Sequence, residues 1–408
     1  MSNIEKRGSD PVMIRRLDRT IADSTGPPLL STDIMVQCIL PFFSNDRNMW
    51  IEVALINNDI WSLMQDIIPP WPEVEIPIAG RHTSVVTFSP DNITLAYGQA
   101  KYIVLLDRRN LQRRVLEAFP SNHTVFSLSF SPDGTKIAAG SGRGWVGIWN
   151  LEDVATNRMF EFDGHVHTVV DTVTFSPDGL LLAATCPNHR KASIWRVDDG
   201  TRIASWNYSF LSFAPDGEHL ARARLVDDGG LIEIYKMPDF ITPETVRAIP
   251  SDEGKSTAIA YSPQGRYLAS ASLLPNIGHD GPRFFCRVKL WDIVDDKVRV
   301  LPHEFDSKKV QFLPDYEAIE RDLSSSVQAW GWACHIAFSP DSQTLAVADS
   351  NATISTWNVP DNRLVAVETK GRRHRSVSFS PDGFFFALGY ESRDGFFAIQ
   401  IRRTLSTK

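Results

Sequence analysis

Ten histidines and four cysteines are the groups in this 408-residue chain best suited to proton transfer, nucleophilic attack or metal ligation. Each of those tasks needs its groups brought close together, and short spacings are how a sequence announces it. The histidines are dispersed: there is no HExxH, and His165 and His167 merely stand two apart on or beside a strand. Cys38, Cys186, Cys286 and Cys334 are scattered without a CxxC pair. They predict buried thiols rather than a disulfide framework or a zinc site. The stretch GSGRGWVG (Gly140–Gly147) imitates a glycine-rich phosphate loop. It joins two strand-like runs and opens no helix, so it lacks the helix N-terminus that would bind phosphate. We therefore expect no enzyme activity, no cofactor and no metal.

Binding chemistry is better represented. Lys101, Arg143, Arg190, Lys191, Arg372, Arg373 and Arg375 carry the cationic heads that grip carboxylates or phosphates, arginine in two-pronged fashion. They form a site only if the fold gathers them on one surface. A second basic string, DRRNLQRR (Arg108 to Arg114), lacks interleaved aromatics, which argues against nucleic acid.

The elements that must position these residues follow from one recurring phrase. It reads FSPDN at Phe88, FSPDG at Phe130, FSPDG at Phe175, FAPDG at Phe213, YSPQG at Tyr261, FSPDS at Phe338 and FSPDG at Phe379. The phrases fall about forty residues apart except between Tyr261 and Phe338, a period that marks a repeat array. Proline presets φ at the first corner, aspartate tolerates the second, and glycine adopts a positive φ without steric cost. Alternating apolar residues enter each turn (Phe126, Leu128, Phe130), and another apolar run leaves it (KIAAGS, LLLAAT, YLASAS). A third strand usually ends on an aromatic: Trp149, Trp195, Tyr235, Trp291, Trp357. A fourth, more polar strand closes the unit, as in NRMFEFDGH or TRIASW. The prediction is an all-β chain of seven four-stranded antiparallel blades.

From Trp71 onward the chain resembles a WD-repeat β-propeller. The resemblance rests on the seven turn phrases, the aromatics closing the third strands and the Gly164-His165 pair opening the third repeat. It departs in detail: Trp291-Asp292 is the one true WD pair, and the openers at Arg81-His82 and Asn122-His123 are eroded. The family's buried His, Ser, Asp and Trp network is thus incomplete in most blades. Periplasmic TolB-like propellers share FSPDG phrases but lack the regular tryptophan.

The last repeat has only three strands of its own, and Val74 to Ile78 alternates like a half-solvated strand. We predict that it pairs with the final strand (Phe396 to Arg402), closing the ring and removing a free sheet edge. Strand alternation then assigns loops to faces. Turn phrases and third-to-fourth connections share one face; second-to-third loops and blade crossovers share the other. Two long insertions, Leu273 to Cys286 and Leu301 to Ser326, fall on the second face, where a repeat array often binds its partner. The cations named above, with Arg81, Lys370 and His374, belong to blades seven, one, two and three. Asp227, Asp228, Asp280, Glu304, Asp306, Asp315, Glu317, Glu320, Asp322 and Asp349 belong to blades four to six. The positives should form one arc, open to an acidic or phosphorylated peptide, or else ordinary solvated loop charge.

Residues 1–27 read as a disordered polar tail, with a short helix at Met13 to Arg19. Residues 28–70 do not fit the repeat: helical spacing at Trp50, Val53, Ala54, Asn57, Ile60, Trp61 and Met64 predicts two or three short helices and a proline-rich linker. This segment resembles an F-box, with Ile34, Ile39, Leu40, Phe43, Val53, Leu55 and Trp61 at the adaptor-binding positions, although the family's leading Leu-Pro is absent. The resemblance implies docking to a Skp-type adaptor of a cullin ubiquitin ligase; the alternative is a helical cap packed on the propeller. A net charge of −7 gives no global field for nucleic acid or membranes. With no signal-like or membrane-spanning stretch, the expectation is a cytoplasmic or nuclear monomeric propeller, residues 71–408, working within a larger complex.

Overall fold

The turn phrase builds six of the blades in the same way, blade four carrying Ala214 in place of the serine. In blade two, the Oγ of Ser131 accepts the N–H of Lys136 at 2.9 Å, while Oδ1 of Asp133 accepts the N–H of Thr135 at 3.0 Å. Gly134 turns back at φ 72° and its N–H reaches the Ser131 carbonyl at 2.9 Å. The same serine-to-strand bond recurs from Ser89, Ser176, Ser262, Ser339 and Ser380. Where the phrase carries Asn92 or Ser342 instead of glycine, those residues take the left-handed conformation, at φ 61° and 60°. The side chain of the phrase thus replaces backbone bonds that the sharp reversal would leave unmade.

The computed structural model describes residues 74–78, 85–301 and 335–404, apart from intervals at 111, 121–122, 154–156, 162–168, 187–190, 208, 227–228, 238–244, 251–254, 279–280, 349–352, 370–372 and 392–396. All of these residues fall within one compact unit, Glu73–Lys408. After β1 (Val74–Ile78), blade one comprises β2 (Val86–Phe88), β3 (Thr94–Gln99), β4 (Tyr102–Asp107) and β5 (Arg113–Glu117). Blade two comprises β6 (Val125–Phe130), β7 (Lys136–Ser141), β8 (Trp145–Asn150) and β9 (Arg158–Glu161). Blade three comprises β10 (Thr172–Phe175), β11 (Leu181–Cys186), β12 (Lys191–Arg196) and β13 (Arg202–Asn207). Blade four comprises β14 (Ser209–Phe213), β15 (His219–Val226), β16 (Gly229–Lys236) and β17 (Thr245–Pro250). Blade five comprises β18 (Lys255–Tyr261), β19 (Tyr267–Gly278), β20 (Gly281–Asp292) and β21 (Lys297–Leu301). Blade six comprises β22 (His335–Phe338), β23 (Thr344–Ala348), β24 (Thr353–Asn358) and β25 (Arg363–Thr369). Blade seven comprises β26 (Arg373–Phe379), β27 (Phe385–Glu391) and β28 (Phe397–Arg403), completed by β1 on its outer side.

The predicted closure is present. β1 runs antiparallel to β28, from Val74 opposite Ile401 to Ile78 opposite Phe397. Blades contact one another in chain order, and β2 of blade one packs on β26 of blade seven. The core lies between blades: Ile137, Ala139 and Trp149 of blade two pack on Ala96, Ile103 and Leu105 of blade one, and the pattern repeats around the ring. Two of the third-strand tryptophans are anchored as well as buried. Trp291 Nε1 donates to Ser270 Oγ at 3.1 Å, and Trp357 Nε1 to Ser355 Oγ at 3.0 Å.

Two sequence expectations change. The insertion after Leu273 is not a loop: β19 and β20 stay paired from Leu273 opposite Cys286 to Gly278 opposite Gly281, making a ribbon about 20 Å longer than the blade. Pro275 and Pro282 survive in it because an outer strand edge needs no donor there. Arg373 and Arg375, expected in the approach to blade seven, lie within β26, where the register shifts between His374 and Ser376. The predicted helices, the polar tail and the second insertion lie outside the described residues.

Candidate functional site: the seam between blades one and two

On the insertion-bearing face, the crossover from β5 to β6 is threaded between two hairpins. Ala118 and Phe119 donate to the Lys101 carbonyl at 3.0 and 3.2 Å, Val125 donates to Ala100 at 2.8 Å, and Gly142 donates to Thr124 at 2.9 Å. Ala100 (φ 51°) tightens the first hairpin. In the second, Ser141 Oγ accepts the N–H groups of Arg143 and Trp145 at 3.2 and 3.0 Å. Gly142 cannot carry a side chain without meeting Phe126, whose ring lies 2.6 Å from where a Cβ would sit. These constraints bring Lys101, His123, Arg143 and Trp145 to one place.

His123 stacks on Phe119 with centroids 6.3 Å apart and meets Trp145 edge-on at 6.3 Å. Phe119 in turn stands edge-on to Trp149 at 5.4 Å, so the histidine rests on the blade core. Burial, and then the charge of Arg143, hold His123 below its ordinary pKa, which keeps the ring neutral. Its Nδ1 is enclosed without a partner, an omission that costs about 1–3 kcal/mol. Lys101 pairs with Glu117 and lies 5.2 Å over the Tyr102 ring.

Of the other arc residues, Lys191 opens β12 opposite Cys186 and has a partner. Arg190 and Arg372 lie outside the described residues, as do the acidic residues assigned to blades four to six and the F-box-like positions Ile34, Ile39, Leu40, Phe43, Val53, Leu55 and Trp61. The side chains of Arg373 and Arg375 are likewise outside the description. Lys101, Arg143 and Lys191 all occur at second-to-third connections, and the structure brings Lys101 and Arg143 to the same seam. His123 was missed; its signal was the eroded Asn122-His123 opener, whose histidine sits beside a loop arginine in space but not in sequence.

The basic string on the opposite face is used internally. Arg108 Nη1 donates to the Asn92 carbonyl at 2.8 Å with its guanidinium 5.2 Å over both Phe88 and Phe385. Arg109 pairs with Asp107 at 2.8 Å, and Arg114 donates to the Leu151 carbonyl of blade two at 2.7 Å. Arg247 and Arg299 make the same next-blade bond, to Ile293 and Pro360 at 3.1 and 2.8 Å.

Blade four holds a further charged cluster that the sequence reading did not anticipate. Arg224 grips Glu233 through Nε and Nη2 at 2.8 and 3.2 Å, and Tyr235 donates to the same carboxylate at 2.5 Å. Arg222 lies 3.3 Å from the Tyr235 hydroxyl and 5.6 Å from the Trp206 ring. Tyr235 stands where other blades have tryptophan, so the ion pair replaces the Trp–Ser bond of blade five. No group of metal-ligating side chains occurs among the described residues, and no helix there is long and apolar enough to cross a membrane.

The model of the WD domain, G-beta repeat, matches residues 113–150 and 156–196, blade two and most of blade three with their approaches. WD repeat-containing protein SL1-17 of Schistosoma mansoni is 33% identical over 121 residues, covering 30% of this chain and 38% of that protein. THO complex subunit 3 of Arabidopsis thaliana is 26% identical over 119 residues, 28% of this chain and 37% of that one. The chain therefore spans well under half the length of these relatives. Among solved structures, hydrazine synthase of Kuenenia stuttgartiensis superposes with a TM-score of 0.61 at 15% identity, over 81% of this chain and 97% of that one. The Cps50 (Swd1) β-propeller domain of Myceliophteria thermophila gives 0.58 at 15% identity, over 81% and 100%. At such identity the likeness concerns the fold alone. The architecture makes this chain a seven-bladed propeller, with WD40 repeats matched at residues 113–150 and 156–196.

Proposed function

We propose that the chain is a non-catalytic protein-interaction scaffold whose insertion-bearing face holds an acidic or phosphorylated segment of a partner. WD-repeat propellers are generally scaffolds of this kind: a rigid ring that presents loops and turns over nothing. The observation that carries the reading is the cationic, aromatic seam where the hairpins at Lys101 and Arg143 flank His123 and Trp145. Similarity to a THO complex subunit supports work inside a multiprotein assembly, in nucleus or cytoplasm, with this chain as one propeller protomer.

The finer reading is a substrate receptor of a ubiquitin ligase, in which residues 28–70 dock a Skp-type adaptor. Its support is the F-box-like order of Ile34, Ile39, Leu40, Phe43, Val53, Leu55 and Trp61 in the sequence. Affinity purification of the full chain, beside a chain lacking residues 28–70, tests both levels. A Skp-type adaptor recovered only with the full chain supports the receptor. Partners recovered equally with both, and no adaptor with either, leave the plain scaffold and remove the ligase role. A chain that recovers nothing in either form overturns the scaffold reading itself.

A further inference from the structure

We propose that the seam between blades one and two is a carboxylate-binding notch, in which Arg143 holds an acidic side chain of a partner peptide beside His123 and Trp145. This deepens the scaffold reading and rests on it. Among the described residues, the Arg143 guanidinium has no hydrogen-bond or ion-pair partner; its backbone N–H alone is engaged, by Ser141. That sets it apart. Lys101 is neutralised by Glu117, Lys191 has a partner, and Arg108, Arg109, Arg114, Arg224 and Arg266 are all bonded within the fold.

Yet Arg143 is only half-exposed, held in a hairpin that Ser141 and Gly144 fix. A partly desolvated, pre-positioned guanidinium binds an anion more strongly than a free surface one, because less solvent and side-chain freedom are given up.

His123 makes the second, independent observation. Its ring stands edge-on to Trp145 and close enough to Arg143 to feel its charge, while the unpartnered Nδ1 is closed to an incoming ligand. A carboxylate entering the seam supplies an acceptor to the guanidinium. It also screens the repulsion by which Arg143 disfavours the imidazolium. Trp145, partly exposed beside His123, gives the methylene groups of a glutamate an apolar wall. Charge complementarity selects an acidic peptide as occupant: no described carboxylate reaches Arg143.

The experiment is fluorescence anisotropy on the full chain with labelled oligoglutamate, oligoglutamine and oligophosphoserine peptides. Oligoglutamate should bind at least as well as oligophosphoserine and clearly better than oligoglutamine. Arg143→Gln should weaken oligoglutamate about ten- to hundredfold, as loss of a charge-assisted pair does, and leave oligoglutamine unchanged. Arg143→Lys should fall between. Because the Arg143 guanidinium bonds to no described group of the fold, its variants should keep the wild-type melting temperature; a fall would contradict the unpartnered guanidinium and overturn the notch. Capture of phosphoserine alone also overturns it. If Arg373→Gln abolishes oligoglutamate binding while Arg143→Gln does not, the acidic-partner face stands and the notch falls. If wild type does not distinguish glutamate from glutamine, both fall.

Discussion

Ile76 lies opposite Ile399 in the pair of strands that joins the two ends of the described chain, and both side chains are buried. Through this pair a strand that precedes all other blade strands completes the last blade. Without it, β28 would present a bare edge, and blade seven would be held only by β27 and its neighbours' faces.

Truncating that contact should loosen the ring as a whole. Ile76→Ala removes a nearly fully buried side chain and should cost about 2–4 kcal/mol, read from urea unfolding of the full chain. A loss no greater than that of an exposed control such as Val115→Ala would show that closure adds nothing to stability.

The crowding at the junction of blades two and three gives a second expectation. A Cβ on Gly140 would stand 2.4 Å from both Ser127 Oγ and Val170 Cγ1. Ser127 Oγ also donates to the Val170 carbonyl at 2.9 Å, so neither neighbour is free to retreat. Gly140→Ala should destabilise by about 1–3 kcal/mol through overpacking, seen as a lower melting temperature in calorimetry.

Acid should strike blade four. Burial opposes the charge on Glu233, but the hydrogen bonds from Arg224 and Tyr235 and the guanidiniums nearby outweigh it and hold the carboxyl below its ordinary value. Its folded pKa is therefore below the unfolded one, about 4.3. The stabilisation is complete above that value and is lost as pH falls through the folded one. Glu233→Gln should be less stable than wild type by about 1–3 kcal/mol at neutral pH. The gap should narrow below about pH 4, which denaturant titrations at stepped pH would reveal.

Cys186 offers a simple check on packing. It is buried without exposure, and burial raises its thiol well above the usual value, with Asp171 adding to the effect. Alkylation followed by peptide mass spectrometry should leave Cys186 unmodified in the native chain and modify it in denaturant. Native labelling at the rate of a free thiol would contradict the blade-three core.

How much of this was readable in advance differs residue by residue. Phe88 to Phe379 and their turn phrases located every blade, because the proline, the aspartate and the residue at positive φ act within five residues of one another. The ribbon at Leu273 to Cys286 was misread as a loop, since its glycines and prolines are turn formers in isolation and are tolerated only because pairing continues beside them. The roles of Arg108 and Arg114 in DRRNLQRR were not legible because their acceptors, the carbonyls of Asn92 and Leu151, belong to other elements.

The sequence by itself determined the repeat, the strand order within each blade and the face on which Lys101 and Arg143 emerge, all consequences of local sterics and alternation of period two. The closing of the ring by β1 on β28 was legible too, whereas tertiary structure alone decided that Arg224 and Glu233 would stand in for a Trp–Ser bond and that His123 would meet Arg143. The ion pair depends on the side chains of two paired strands within a blade and the meeting of His123 with Arg143 on a crossover packing against a hairpin, and such contacts in space have no counterpart in local sequence pattern.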